Sequence, residues 1–226
     1  MDTRAIVPGL ATAALCGAAT GAAAQEPGGT PRGDYEFAIV VPHLDGESTP
    51  FDGGTVVRTD SATGLGFNFD YAFADRWTVG ARFTFHEVDY LADVAVDGPL
   101  APGGTRLDGE LEATSLLAHA KRYFGDFGRV APYASFALGV TSVDTNIPEG
   151  APVGFCWWHP WWGYVCDAVQ PTKTDTDMSA ALRVGVRWAF GRRLFLDANV
   201  GRQWIDFDTA DRPGFSELAV AVGFLR

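Results

Sequence analysis

Hydrophobic and polar residues alternate with a period of two over long stretches of this chain. In 176–190, TDMSAALRVGVRWAF, the apolar residues from Met178 to Phe190 share one face, and the other face carries Asp177, Ser179, Arg183 and Arg187. Successive side chains of a strand point to opposite faces, so the pattern predicts a β-strand with one apolar and one charged face. A dry core does not accept unpartnered arginines, so the charged face meets water or other charges.

The same alternation predicts seven further strands, at 35–41, 63–73, 77–88, 112–124, 133–143, 194–207 and 216–226. In the strand at 112–124, leucines fall on both faces. We expect Leu116, Ala118 and Ala120 to point outward there, and Leu117, His119 and Lys121 to point inward.

The connections between the eight predicted strands alternate between long and short. Polar, Gly-rich loops at 43–61, 89–108, 144–175 and 208–214 alternate with short turns near 74–75, 125–128 and 191–192. This predicts an up-and-down antiparallel array with all long loops at one end and both termini at the other. Past residue 24 no run of about 20 apolar residues exists, so a membrane protein of this sequence must be a closed barrel. The alternative is a secreted soluble barrel whose apolar faces point inward.

The first 24 residues have the layout of a cleavable signal peptide. Arg4 precedes a run of apolar and small residues, which ends in Ala22-Ala23-Ala24 before Gln25. The expected division is therefore a signal peptide at 1–24 and one barrel domain at 25–226, with a lead-in at 25–33. A retained membrane anchor is the competing interpretation, and a lipoprotein signal at Cys16 fits less well because a leucine precedes it.

The net charge argues against one class of partner, and the cysteine content predicts a disulfide. The net charge of −11 and the pI near 4.7 argue against nucleic acid as a partner, because phosphates would be repelled. Signal cleavage would remove Cys16 and leave Cys156 and Cys166, which are expected to form a disulfide in an exported protein.

The chain resembles the eight-stranded outer-membrane β-barrel superfamily that includes the OmpA transmembrane domain, the OmpW-like proteins and the opacity-type adhesins. The resemblance rests on the signal peptide, on KRYF at 121–124 followed by PYASFALGV at 132–140, and on the last strand. It implies an all-β, eight-stranded, up-and-down antiparallel transmembrane barrel in the bacterial outer membrane, with extracellular loops and periplasmic termini. Since this superfamily hosts pores, adhesins, anchors and lipid-modifying enzymes, it implies little about function.

The polar strand faces carry balanced charges, which predicts an ion-pair network that fills the narrow lumen. Its members are Glu36, Asp70, Arg82, Lys121, Arg183, Arg187, Asp197 and Glu217. The turn at 191–192 places residue 187 roughly opposite residue 196 or 197, so we expect Arg187 to pair with Asp197, and Arg183 to pair with Glu217 or a more distant acid. A narrow ion path made of the same groups is the functional alternative.

The segment CWWHPWWGYVC at 156–166 concentrates aromatic residues inside the expected disulfide ring. Exposed aromatic area needs a partner, and rigid aromatic side chains are good contact anchors. One interpretation is an extracellular binding tip made of Trp157, Trp158, His159, Trp161, Trp162 and Tyr164. The other is a loop cap packed on its own barrel. His159 has no companion ligands in the sequence nearby, so a metal site is not expected.

Catalysis has little support, because no histidine has a serine two or three residues away on the same strand face. A lipid-modifying enzyme is therefore the weakest hypothesis, and no cofactor is expected. Loop acids such as Asp97, Asp108, Glu110 and Glu149 are interpreted as solvated charges that bind divalent cations weakly.

The leading hypothesis is a monomeric structural or surface-binding protein, and a small pore for small or apolar solutes is the alternative. Expected partners are outer-membrane lipid and lipopolysaccharide, the barrel assembly machinery and an extracellular ligand.

Overall fold

The computed structural model describes residues 32–50, 54–94, 105–124, 129–169, 171–191, 193–206 and 214–226, so the expected signal peptide lies outside the described residues. None of the described residues forms a helix long and apolar enough to span a membrane. The strands are β1 (Tyr35–Leu44), β2 (Ser48–Pro50), β3 (Val56–Thr59), β4 (Ala62–Thr63), β5 (Leu65–Ala74), β6 (Trp77–Val94), β7 (Thr105–Tyr123), β8 (Val130–Pro148), β9 (Val153–His159), β10 (Gly163–Val169), β11 (Thr172–Phe190), β12 (Leu194–Ile205) and β13 (Gly214–Leu225).

Eight of these strands close into a ring. The order is β1, β5, β6, β7, β8, β11, β12, β13 and back to β1, and every neighbouring pair is antiparallel. Closure pairs the backbone groups of both edges of the eight-stranded sheet, so the ring itself has no open edge. The predicted all-β, eight-stranded, up-and-down antiparallel barrel is confirmed.

Apolar side chains line the outside of the ring, and small or polar side chains line the inside. Phe69 and Leu182 are about half exposed on the outer wall, whereas Ala137 and Ala181 are fully buried in the lumen. The expected phase of 112–124 is also confirmed, because Leu116 is exposed and Leu117 is buried. A soluble barrel with its apolar faces turned inward is therefore excluded.

Four strands continue beyond the predicted ends, so the interpretation of 89–108 and 144–175 as loops is wrong for much of both segments. β6 and β7 remain paired as far as Val94 and Thr105, and β8 and β11 as far as Pro148 and Thr172. Beyond the predicted ends, acidic residues such as Asp89 and Glu110 take outward positions, so the apolar alternation stops there. Backbone hydrogen bonds continue the ladder past that point, and Thr-rich polar stretches such as 172–176 suit an exposed strand.

These extensions give the barrel an uneven rim. β6, β7, β8 and β11 project beyond the ends of β1 and β12, and β3 pairs with the projecting part of β6 while β2 pairs with β3. β9 and β10 form a separate two-stranded sheet between β8 and β11. We call the end that carries this sheet the hairpin end, and the opposite end, where β5 turns into β6 and β11 into β12, the turn end.

Candidate functional site

The β9–β10 hairpin is built from local sequence signals. His159 and Gly163 are paired across a three-residue loop, 160–162. Pro160 fixes its own φ near the value that many turns need. Gly163 has a φ of +75°, a conformation that residues with a Cβ rarely adopt. Cys156 and Cys166 are register partners and form the predicted disulfide. The sequence HPWWG therefore closes the hairpin, and the disulfide fixes its register.

The two faces of the hairpin differ in exposure. Trp158 and Tyr164 are register partners next to the disulfide, and their exposed fractions are 73% and 69%. Trp161 and Trp162, in the loop, are 83% and 76% exposed. Trp157, on the other face, is the least exposed tryptophan of the hairpin. We call Trp158, Tyr164, Trp161 and Trp162 the aromatic tip. Its exposure contradicts the alternative of a loop cap packed on the barrel.

His159 stabilises the loop of the hairpin. Its ring stacks on Trp162 at a centroid distance of 4.3 Å, and the backbone N–H of Trp161 donates to its Nδ1 at 3.3 Å. Among the described residues, no three His, Cys, Asp or Glu side chains lie together as metal ligands do.

The charged residues expected inside the barrel are all buried there, and all of them except Asp197 form ion pairs, at successive levels. Nearest the turn end, Arg187 is 1% exposed and donates two hydrogen bonds to Glu36, one of them at 2.7 Å. The Arg187 guanidinium also lies over the rings of Tyr123 and Phe195, at 4.9 and 4.1 Å from their centroids. Two hydrogen bonds and two ring contacts hold this side chain in one position.

The middle level is centred on Asp70. Its carboxylate accepts from Nε2 of His119 at 2.5 Å and from Nζ of Lys121 at 2.8 Å. Closer to the hairpin end, Glu217 accepts from Arg82 at 2.8 Å and from Arg183 at 2.9 Å. Gly201 makes room for Arg183, because a Cβ there would lie 2.5 Å from Cγ of the arginine.

A cluster of hydroxyl groups lies above the charged levels. Ser115 and Ser179 contact Thr141 at 2.8 and 2.7 Å, and Gln203 donates to Ser115 and Thr141 at 3.2 Å each. Side chains therefore occupy the lumen at each of these levels, as the width of an eight-stranded barrel requires.

The expected pairing of Arg187 with Asp197 is wrong, although the register behind it is right. The two residues are opposite each other on β11 and β12, but Asp197 accepts from the hydroxyl of Tyr133 at 2.6 Å and from Asn199 at 3.1 Å. The longer arginine crosses the lumen to Glu36 on β1. Arg183 does pair with Glu217, which it shares with Arg82.

Several members of the network were not among the predicted site residues, namely His119, Tyr123, Tyr133 and Gln203. Each lies on the inward face of its strand, and the period-two pattern was the signal that could have found them. A charge-only criterion missed them because neutral hydrogen-bonding groups complete the network.

A second, unpredicted feature lies on the outward face of the projecting strands. Glu87, Glu112 and Asp144 are register partners across β6, β7 and β8, and Asp89 and Glu110 are partners two residues further on. All five are exposed. We call them the acid rows. The hydrogen bond and the negative charge of Glu87 raise the pKa of Glu110 above its usual value. Asp97, one of the predicted loop acids, lies outside the described residues.

A family comparison accounts for the barrel. The model of the outer membrane protein beta-barrel domain family matches residues 9–224. The chain belongs to this family. Membership of this family indicates that the protein lies in the bacterial outer membrane. It also confirms the resemblance inferred from the sequence.

Solved structures show the same fold at low sequence identity. OprG from Pseudomonas aeruginosa is 17% identical, with a TM-score of 0.51, and the match covers 89% of this chain and 99% of that one. The N-terminal barrel domain of OprF from the same organism is 15% identical, with a TM-score of 0.47 and coverages of 86% and 98%. Ail of Yersinia pestis is 12% identical, with a TM-score of 0.46 and coverages of 86% and 99%. A comparison with curated protein sequences finds no match.

Proposed function

We propose that this protein is a surface-binding barrel of the outer membrane, which contacts its partner through the aromatic tip. The observation that carries the proposal is the exposure of Trp158, Trp161, Trp162 and Tyr164 on a disulfide-closed hairpin. Leaving such side chains in water has a free-energy cost that contact with a partner removes. Rigid aromatic side chains also lose little conformational entropy on binding.

In this proposal the hairpin end faces the cell exterior and the turn end faces the periplasm. Short turns on the periplasmic side and long extensions on the outside are typical of bacterial outer-membrane barrels. The protein is proposed to act as a monomer, to reach the membrane through a signal peptide and the barrel assembly machinery, and to be surrounded by lipopolysaccharide at its rim. No catalytic step is assigned to it.

The filled interior favours a structural scaffold over a conducting pore. Ion-paired side chains occupy the lumen at three levels, and Arg187 is held by Glu36, Tyr123 and Phe195 together. A conducting path would have to break these buried contacts, which is costly because each partner would be left as an unpaired buried charge.

The test uses the full barrel reconstituted in nanodiscs and a fluorescent amphipathic peptide with an apolar face and no net charge. We expect the wild type to bind this peptide. The variant Trp158→Ser, Trp161→Ser, Trp162→Ser, Tyr164→Ser should bind at least about 30-fold more weakly, since even a single aromatic anchor contributes about 2 kcal/mol.

The matched control is Val153→Ser, which removes an exposed apolar side chain at the base of the hairpin. It should change the affinity by less than about twofold, because scattered surface apolar residues contribute little. Equal binding by the wild type and the tip variant would refute an aromatic contact site, provided that both show the heat-dependent gel mobility of a folded barrel.

A further inference from the structure

The acid rows put like charges next to one another on the outer surface of the projecting strands. Residues directly opposite on antiparallel strands have Cβ atoms about 5 Å apart, and like charges in such positions are destabilising. Glu87, Glu112 and Asp144 form one such row, and Asp89 and Glu110 form another. The hydrogen bond with Glu87 and the negative charge of Glu87 raise the pKa of Glu110 above its usual value.

Basic side chains do not neutralise these acids. In the described part of the chain, none of the five pairs with a lysine or arginine. The arginines nearby on β3 and β7, Arg58 and Arg106, both bind Asp93, each at 2.9 Å. The acid rows therefore leave a negative potential at the surface that a positively charged partner would relieve.

The same excess of acid continues along the stem that carries the aromatic tip. Between residues 142 and 177 the sequence has five acidic residues, and Lys173 is the only lysine or arginine. Asp144 belongs both to the acid rows and to β8, the strand that leads into the hairpin. β8 therefore connects the acid rows to the hairpin that carries the aromatic tip.

We propose that the partner of the aromatic tip is a cationic amphipathic polypeptide, whose apolar side chains pack on the tip and whose lysines and arginines lie along the acid rows. This inference rests on the proposed function and specifies the partner's chemistry. Tryptophan faces attract ammonium and guanidinium groups, so the tip also favours basic residues next to the apolar ones. Opposite charge speeds association and excludes anionic competitors.

The spacing of the two surfaces sets a size for the partner. Twelve residues separate Asp144 from Cys156, and twelve residues of extended strand span at most about 40 Å. A helix rises about 1.5 Å per residue, so a helical partner that reaches both surfaces needs up to about 25 residues.

The test compares three helical peptides of about 25 residues that share one apolar face and carry lysine, serine or glutamate on the other. Each is titrated against the full barrel in nanodiscs of zwitterionic lipid. We expect the lysine peptide to bind about tenfold more tightly than the serine peptide, and the glutamate peptide to bind most weakly. Raising the salt concentration to about 0.5 M should reduce the differences to about twofold.

Two charge variants locate the effect. In the variant Glu87→Gln, Glu112→Gln, Asp144→Asn, the preference for lysine over serine should fall to about twofold, while the serine peptide binds as before. The control Asp34→Asn, Asp75→Asn removes acids at the turn end and should leave the preference unchanged.

The outcomes separate the two proposals. Equal affinity of the wild type for all three peptides overturns the cationic partner and leaves the aromatic contact site standing. Undiminished binding of the serine peptide by the fourfold aromatic variant overturns the contact site itself. A lysine preference that survives in the acid-row variant overturns the assignment to the acid rows.

Discussion

Arg187 shows how the length of a side chain decides its partner inside a narrow barrel. Its register partner is the shorter Asp197, which lies on the neighbouring strand and is already hydrogen-bonded to Tyr133. The guanidinium extends into the lumen and reaches Glu36 on a strand that is not a neighbour of its own. The sequence predicted that Arg187 points into the lumen and that it lies opposite Asp197. The first follows from the two-residue period of the strand, and the second from the position of the turn that joins the two strands. The sequence did not predict the partner, which depends on distances across the lumen.

The Arg187 and Glu36 pair should therefore be strongly coupled. We expect Arg187→Ala and Glu36→Ala each to lower the free energy of unfolding by about 3–5 kcal/mol, because each leaves the other charge buried without its partner. The double variant should lose less than the sum by at least about 1 kcal/mol. The measurement is urea unfolding of the refolded barrel in lipid vesicles.

The matched cycle uses Arg187→Ala with Asp197→Ala. Its coupling should be smaller, because Asp197 is bound by Tyr133 and Asn199. Strong coupling to Asp197 together with additive losses for Glu36 would contradict the ion pairs described above.

Glu110 gives a second prediction at the scale of one residue. Its pKa is raised above the usual 4.5, first by the hydrogen bond that its protonated carboxyl donates to Glu87 and then by the negative charge of Glu87. Glu87→Gln removes that charge and offers an amide donor to the carboxylate, so the pKa of Glu110 should fall towards or below the usual value. Carboxyl-carbon NMR titration of the barrel in detergent micelles measures this shift, and an unchanged pKa would mean that the two carboxylates do not meet.

The sign of the linked stability follows from the raised pKa. A group that binds its proton more tightly in the folded state stabilises that state below its usual pKa, and the effect is lost as the pH rises through the folded value. The outer part of the β6–β7 pair should therefore be more protected from hydrogen exchange near pH 4 than near pH 7, after correction for intrinsic rates. Glu87→Gln should reduce this difference, and an opposite trend would argue against repulsion.

Among the elements, the β9–β10 hairpin depends most on a single covalent bond. A two-stranded sheet is marginally stable alone in water, and β9 and β10 pair with each other rather than with the barrel wall. Closing a loop of this length stabilises by about 3 kcal/mol on the chain-entropy model. We expect Cys156→Ser, Cys166→Ser to leave the heat-dependent mobility of the barrel intact.

In the same double variant, the hairpin amides should lose protection from hydrogen exchange and the neutral peptide should bind several-fold more weakly. Exchange measured by mass spectrometry resolves the hairpin from the barrel strands. Full protection of 153–169 in the serine variant would show that packing, and not the disulfide, holds the element.

The elements also show where sequence prediction stops. The eight ring strands carry apolar residues at alternate positions, and all eight were predicted. The outer parts of β6, β7 and β8 carry acidic residues at outward positions, so the apolar face that identifies a strand is interrupted there. They form because the barrel below has already placed the strands in register. For the same reason the acid rows could not be predicted, since a row exists only once three strands are aligned.

At the scale of the whole molecule, the filled lumen predicts a barrel without steady conductance. Planar-bilayer recordings of the purified wild type should remain silent, because the buried ion pairs would have to be broken for ions to pass. The variant Arg187→Ala, Glu36→Ala removes the ion pair nearest the turn end. It should also stay silent, since the ion pairs of Asp70 and Glu217 remain. Steady single-channel steps in the wild type would favour the pore hypothesis.

The sequence predicted which residues belong to the candidate site, but not how they are arranged. The aromatic residues between Cys156 and Cys166 are evident in the sequence, and the expected disulfide followed from the compartment. Which of them are exposed depends on the register that the 160–162 loop sets, with Trp158 and Tyr164 on one side of the hairpin and Trp157 on the other. Folds of this class host unrelated functions, so the barrel itself could not select among them.

The uneven rim makes the two sides of the barrel different. A barrel with strands of equal length would present the same height on every side, whereas here β6, β7, β8 and β11 form a taller side and β12, β13 and β1 form a shorter one. The hairpin connects β8 and β11, two strands of the taller side. If the hairpin end faces the cell exterior, as proposed above, a molecule that approaches from the taller side meets the acid rows before the lipid surface, whereas one that approaches from the shorter side meets the membrane first. Rotation of the barrel in the bilayer would then decide which surface the molecule contacts.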